Sequence, residues 1–313
     1  MSLNEAKTKL EPQLVEVSIV VPMYNEEANL GQFFARTITV LNSLNIKYEI
    51  VCINDGSIDN TLAELLKYQQ NNNCIKVIDL SRNFGKEIAL TAGLDYSCGA
   101  AVIPIDADLQ DPPELIPDLL SKWREGYDMV YATRLMRRGE TFIKRITAKL
   151  FYFTIDSISE IKIPKNTGDF RLMDRRVVDS LAKLPERTRF MKGLFAWVGF
   201  KQTAIFYDRD PRQAGQTAWN YWKLWNFAID GITSFTAFPL KIWSYIGFSL
   251  SFLSLCYAVF LFMRTILMGI ELPGYASMMV VILFLGGIQL ITLGVLGEYL
   301  GRIYTEVKNR PLY

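Results

Sequence analysis

The sequence predicts an α/β protein built on a mostly parallel, Rossmann-like sheet, followed by interfacial and membrane-spanning helices. Two observations predict this. From Val17 onward, short apolar β-branched runs alternate with stretches whose apolar residues recur at helical spacing. Beyond about residue 215 the composition turns aromatic and then apolar, with two uncharged stretches, Ile242 to Met263 and Ala276 to Gly297.

The strand runs come in order as "VSIVVP", "YEIVCI", "CIKVIDL", "AVIPI" and "DMVYAT". Each is short and nearly all apolar, as expected of strands covered on both faces. Between them, "EEANLGQFFARTITVLNSL", "DNTLAELLKYQ" and "GKEIALTAGLDYS" carry helical periodicity, and Pro112 and Pro113 open a further helix, "PPELIPDLLSKW". In such sheets ligands bind at the carboxyl ends of the strands. Those ends read Tyr24-Asn25-Glu26, Asn54-Asp55-Gly56-Ser57 and Asp106-Ala107-Asp108.

The C-terminal third reads differently. Trp219, Trp222 and Trp225 recur on one helical face beside Lys223, which suits a helix lying at a lipid headgroup boundary. Each of the two uncharged stretches is long enough as helix to cross a bilayer core. Arg302, Lys308 and Arg310 follow the second, so positive-inside bias puts both termini in the cytoplasm. Gly286, Gly287, Gly294, Gly297 and Gly301 crowd that second stretch and are expected to pack on the other span or on a second copy in a homo-oligomer. The expected division is a cytosolic domain over 1–215, juxtamembrane helices over 216–240 and a two-span segment with a short tail over 241–313.

Composition removes whole classes of chemistry. Of 313 residues none is histidine, so His-based zinc sites and Ser-His-Asp triads are excluded, and a metal would be held by oxygen. A formal charge of +2 gives no reason to expect nucleic acid as a partner. Cys52, Cys74, Cys98 and Cys256 lie far apart with no CxxC and read as reduced packing residues. "MSLNEAKTKLEPQL" has no apolar core of the secretory kind, which places the first domain in the cytosol.

Three motifs carry chemistry. In "VPMYNEE" the Tyr24 ring can stack on a base and Glu26 can meet ribose or base edges; alone it reads as a helix start at Asn25. In "INDGS", Asp55 can accept from a base NH or ribose hydroxyl while Gly56 permits a positive-φ turn; alone it reads as a turn. In "IPIDADLQDPPE", Asp106, Asp108 and Asp111 repel one another unless something cationic joins them, so alone they read either as a solvated turn or as holders of a metal ion. An extended backbone aims one of Asp106 and Asp108 at nucleotide or sugar and the other at Mg²⁺ or Mn²⁺, with Gln110 adding an amide oxygen.

Together and in this order, these motifs resemble the GT-A domain of family 2 inverting glycosyltransferases, which use nucleotide-sugar donors. "GDFRLMDRR" at Gly168 to Arg176, "RQAGQT" at Arg212 to Thr217 and the two terminal spans resemble, more narrowly, the polyprenyl-phosphate glycosyltransferases, the group of dolichol-phosphate mannose synthase and the bactoprenol glucosyltransferases. The resemblance implies donor contacts from Pro22, Tyr24, Glu26 and Asp55, metal ligation by Asp108 and Gln110 with Asp106 close to donor or metal, and a loop carrying Arg212 that closes over the donor. It implies lipid-phosphate binding by Arg134 and Arg171. Asp169 becomes the candidate base, or the residue that orients Arg171. Two positions depart from the pattern: Asn54 stands where many relatives have a second Asp, and Ala218 where a larger or basic residue is expected.

The implied reaction moves glucose from UDP-glucose to undecaprenyl phosphate at the inner (plasma) membrane of a bacterium. GDP-mannose, UDP-GlcNAc or an amino-sugar donor would need few changes. A phosphate monoester has a second pKa of about 6 and is a ready nucleophile, so the protein must supply alignment and charge stabilisation. A pore-forming polysaccharide synthase would share the first domain but needs more membrane helices and a Gln-x-x-Arg-Trp motif. A non-catalytic lipid carrier or channel would place charges within its spans, and these two have none.

Overall fold

The computed structural model describes residues 15–134, 167–184, 186–187, 189–207, 238–268 and 274–313. Arg212, Ala218 and the Trp219, Trp222 and Trp225 helix lie outside the described residues.

The five expected strands are present, each within two residues of the apolar run that predicted it. They are β1 (Val17–Met23), β2 (Tyr48–Asn54), β3 (Ile75–Asp79), β4 (Ala101–Pro104) and β5 (Met129–Arg134). Two strands were not read from the sequence, β6 (Thr167–Asp174) and β7 (Gln202–Tyr207). The seven form one sheet in the order β3-β2-β1-β4-β6-β5-β7. Every pairing is parallel except those of β6, which runs antiparallel to both β4 and β5. β6 escapes a search for apolar runs because it carries Asp169 and Arg171 among its inward residues. β7 is an edge strand, half exposed along most of its length.

Alternation along the strands feeds two cores. Val17, Ile19 and Val21 of β1 and Ile50 and Cys52 of β2 point to one face, under Phe33, Phe34 and Leu41 of α1 (Glu27–Ser43) and Ile116, Leu119 and Leu120 of α4 (Ile116–Arg124). Val20, Val51 and Ile53 point to the other. There they meet α3 (Lys86–Tyr96), α5 (Arg175–Ala182) and α6 (Met191–Trp197). The remaining helix of this part, α2 (Thr61–Asn71), follows β2. Pro113 begins the short 3₁₀ turn that leads into α4, as the proline pair implied.

α3 sits unusually deep. A Cβ on Gly93 would fall 2.3 Å from Val20 Cγ1 and 2.5 Å from Ile53 Cδ1, so glycine is what lets this helix approach the sheet. The close approach fixes where the first turn of α3, Lys86 and Glu87, meets the strand ends.

Two long helices close the chain, α7 (Phe238–Met268) and α8 (Tyr275–Lys308). Among the described residues one segment, Phe284–Lys308, is long and apolar enough to cross a membrane; the apolar run in α7, Tyr245–Tyr257, is shorter than that. Among the described residues, Cβ atoms built at Gly286, Gly287, Gly294, Gly297 and Gly301 of α8 meet nothing within 4 Å. The end of α8 returns to the sheet-bearing part of the chain. Glu306 accepts from the Arg187 backbone N–H at 2.8 and 3.0 Å, Arg187 donates to Asn309, and the Tyr313 hydroxyl donates to Asp95 at 3.0 Å.

All four cysteines are free, as expected, but only Cys52 is a core residue. Its thiol is pushed up by burial. Cys74 is half-buried; Cys98 and Cys256 are exposed, so for these two the packing role does not hold.

Candidate active site

The carboxyl ends of β1, β2 and β4 lie side by side, and their loops are fastened together by hydrogen bonds. Asn25, with φ of 55°, donates its N–H to Ser57 Oγ at 3.0 Å, and its side-chain oxygen accepts from Ile58 N–H at 2.9 Å. The Glu26 N–H donates to Thr61 Oγ1 at 2.9 Å. The "YNE" and "NDGS" motifs are therefore one structural unit. Asn25 belongs to the stitching rather than to a helix cap, since the residue that opens α1 is Glu26. Tyr24 is left exposed on this unit, with Pro22 and Glu26 half-buried beside it.

The second loop is held by Asp55 and Gly56. Both oxygens of the buried Asp55 carboxylate accept backbone N–H groups, from Phe84 at 2.7 Å and from Gly85 at 3.0 Å. Burial raises its pKa and those two hydrogen bonds oppose the rise. Gly56 has φ of 63°, and a Cβ there would lie 2.5 Å from the backbone of Arg82 and Asn83. Asp55 and Gly56 thus anchor the segment that leads into Lys86. Asn54 also finds an explanation: its amide donates to Asp79 Oδ1 at 2.7 Å, where a second aspartate would meet like charge.

Past β4 the three aspartates diverge. Asp106 turns to Lys86. Asp108 is buried and accepts the Gln110 N–H at 3.2 Å across Leu109, whose φ is 57°. Asp111 accepts from the Tyr207 hydroxyl at the end of β7. Gln110 is buried beside them.

The antiparallel strand completes the arrangement. β6 pairs Met173 with Val102 and Asp174 with Ala101, and that register continued upward brings Asp169 opposite Asp106. Lys86 joins them: its ammonium is 2.7 Å from Asp106 Oδ1, 2.8 Å from Asp106 Oδ2 and 2.7 Å from Asp169 Oδ2. Among the described residues, the buried Asp169 Oδ1 has no hydrogen-bond partner. Arg134, at the end of β5 beside Tyr207, sits on the same edge of the sheet.

A scan of family models matches residues 18–182 to glycosyl transferase family 2 and residues 238–303 to the GtrB C-terminal hairpin. The chain belongs to glycosyltransferase family 2. An uncharacterised glycosyltransferase of Synechocystis is 66% identical to this transferase over 299 residues, covering 96% of this chain and 94% of its own. The SfII prophage-derived bactoprenol glucosyl transferase of Shigella flexneri is 49% identical over 300 residues, 96% of this chain and 97% of its own. Among solved structures, glucosyl-3-phosphoglycerate synthase of Mycobacterium tuberculosis aligns over 68% of this chain and 76% of its own, at 19% identity and a TM-score of 0.46.

The transferase's charged cluster is electrically uneven. Burial pushes both carboxyls up, but Lys86, Lys192 and Arg171 hold Asp169 well below the usual carboxylate range. Asp106 stays above it, raised by burial and by Asp169 against the pull of Lys86. Lys86 is only partly buried; packing opposes its charge, but the two carboxylates raise its pKa well above the ordinary range. Glu87 is raised to about 7 by burial and by Asp169.

Arg171 shares the face of Asp169 but lies beneath it. It is 4% exposed, with NH2 donating to Gly168 O at 2.8 Å and its guanidinium 3.9 Å from the Phe195 ring centre. Its contact with Asp169 is to the backbone carbonyl, at 3.4 Å. Burial brings its pKa down to about 10, still charged at neutral pH. The Asp169 carboxylate is held by Lys86, and Arg175 bonds Gly99 O and Ser97 Oγ instead.

Sequence reasoning missed Lys86 and Glu87. The signal was present: a lysine in the first turn of a helix stands against the helix dipole, and this one follows a loop on the ligand edge of the sheet. A cation there needs carboxylates close by.

Proposed function

We propose that the chain transfers a hexose, with glucose from UDP-glucose the first choice, to a polyprenyl phosphate such as undecaprenyl phosphate, with inversion at the anomeric carbon. The near-full-length similarity to bactoprenol glucosyl transferases carries this reading. In it, residues 1–215 form the cytosolic catalytic domain, 216–240 lie at the membrane surface and 241–313 span the membrane twice as a hairpin. The contact of Glu306 and Tyr313 with the catalytic part supports a shared side for that part and the C-terminus.

The donor's base and ribose are met by Pro22, Tyr24, Glu26 and Asp55, with Arg212 closing over the diphosphate. Asp108, Gln110 and Asp106 would hold Mg²⁺ or Mn²⁺. Among the described residues no three carboxylates form a ready-made cage. The residues nonetheless fit a hard cation that is completed by substrate, since every donor they offer is an oxygen, two of them carboxylates at one strand end. Such an ion supplies charge to the departing diphosphate.

Arg134 takes the acceptor phosphate, and Arg171 adds positive charge from below. Asp169, held ionised by Lys86, either orients Arg171 or takes a proton only from the monoanionic acceptor, since the dianion has none to give. The test is activity of the purified chain against a panel of nucleotide-sugars, with excess EDTA and with Asp108→Ala. Both treatments abolish transfer from a folded protein if the reading is right. Full turnover in EDTA would rule out the metal.

A further inference from the structure

We propose that Lys86 is a positioning residue for the transfer: it locks the donor-side carboxylate Asp106 to the acceptor-side carboxylate Asp169 and leaves Asp169 Oδ1 as the oxygen offered to substrate. This rests on the transferase reading above. An ammonium has three N–H donors, and here three carboxylate oxygens lie within 2.8 Å of it, two of Asp106 and one of Asp169. The two acids come from neighbouring strands that share only a short ladder, Ala101 with Asp174 and Val102 with Met173. Beyond that ladder no backbone pairing continues to Asp106 and Asp169, and like charge drives them apart. Lys86 replaces the missing backbone pairing with a cation.

Helix stability does not explain this lysine, because a positive charge in the first turn opposes the dipole. An ordinary surface ion pair does not explain it either. The Lys86 side chain is 45% exposed, but Asp169 is only 15% exposed and keeps one oxygen buried and, among the described residues, unpartnered. A buried acceptor left unmade is costly, so a group that pairs with it in the working complex is expected. The lysine itself is fixed from behind: Asp55 holds the Phe84 and Gly85 amides, and Gly93 seats α3 on the sheet. The path from Asp55 to Asp169 is thus a chain of direct contacts between the donor loop and the acceptor carboxylate.

The test uses the full chain in lipid nanodiscs, with Lys86→Met and Lys86→Arg. UDP affinity is measured by calorimetry, and kcat and KM for undecaprenyl phosphate and nucleotide-sugar are measured separately. Lys86→Met should bind UDP within about threefold of wild type while kcat falls about 100-fold, the loss typical of a misplaced reacting group. Lys86→Arg should recover about a tenth of wild-type kcat, since the charge returns with a different reach. A merely structural lysine would lower thermal stability and the active fraction while the folded fraction kept its kcat; that result overturns the proposal. Should Lys86→Met not fold, Lys86→Arg decides: reduced kcat at unchanged UDP affinity upholds the role, and undiminished kcat refutes it. Wild-type inactivity with every nucleotide-sugar would instead overturn the transferase reading itself.

Discussion

Glu87→Gln should stabilise the protein at alkaline pH and leave it unchanged at acid pH. Glu87 lies in the first turn of α3, raised to about 7 by burial and by Asp169, against Lys86, Lys192 and the Met191 amide. Its ordinary value is 4.5. Below both values the carboxyl is protonated in folded and unfolded chains alike, and contributes nothing to pH dependence. As pH rises from about 4.5 to about 7 the unfolded chain loses its proton first, so the unfolded state binds fewer protons and stability falls. The full difference corresponds to about 3 kcal/mol, reached above pH 7. Glutamine keeps an oxygen for the Met191 amide but carries no charge, so it removes this loss. For a domain of this size the gain is about 5–10 °C in Tm. The assay is a thermal melt of wild type and variant, in one detergent and without divalent ions, at pH 5 and pH 8. A variant that melts lower than wild type at pH 8, or that shifts Tm equally at both pH values, refutes the reasoning.

Three further outcomes are expected. Gly56→Ala adds a Cβ against the Arg82 and Asn83 backbone at positive φ, and should destabilise by about 2–5 kcal/mol, read as a lower urea midpoint. Asp55→Ala leaves the Phe84 and Gly85 amides unpaired; it should cost about 2–5 kcal/mol and speed hydrogen exchange over residues 82–88, with Asp55→Asn intermediate. Unchanged exchange there would mean that the carboxylate does not anchor the loop. Ending the chain at Lys308 removes the Asn309 and Tyr313 contacts, and should raise exchange around Arg187 and Asp95 while lowering stability by about 1 kcal/mol.

Much of this architecture is legible in the sequence because buried parallel strands and amphipathic helices write their burial directly into apolar spacing. The strand-end motifs followed from the same pattern. β6 did not, because the charged residues along it, Asp169 and Arg171, erase its apolar signature. The grouping of Lys86 with Asp106 and Asp169 was also hidden, since it depends on an antiparallel register between segments some 70 residues apart. The three aspartates of "DADLQD" looked like one cluster by spacing. In the fold, the positive φ at Leu109 and the Tyr207 hydroxyl send Asp108 and Asp111 to different partners from Asp106.

The central claim is sugar transfer to a polyprenyl phosphate. The direct measurement incubates the purified full-length chain with radiolabelled UDP-glucose, Mg²⁺ or Mn²⁺, and undecaprenyl phosphate in liposomes, alongside matched reactions given undecaprenol or no lipid. Label extracted with the lipid phosphate, and absent from both controls, is the result predicted, with the other nucleotide-sugars substituting if the donor differs. Label reaching water or free alcohol at the same rate as lipid phosphate, or no transfer from any nucleotide-sugar, would contradict the account.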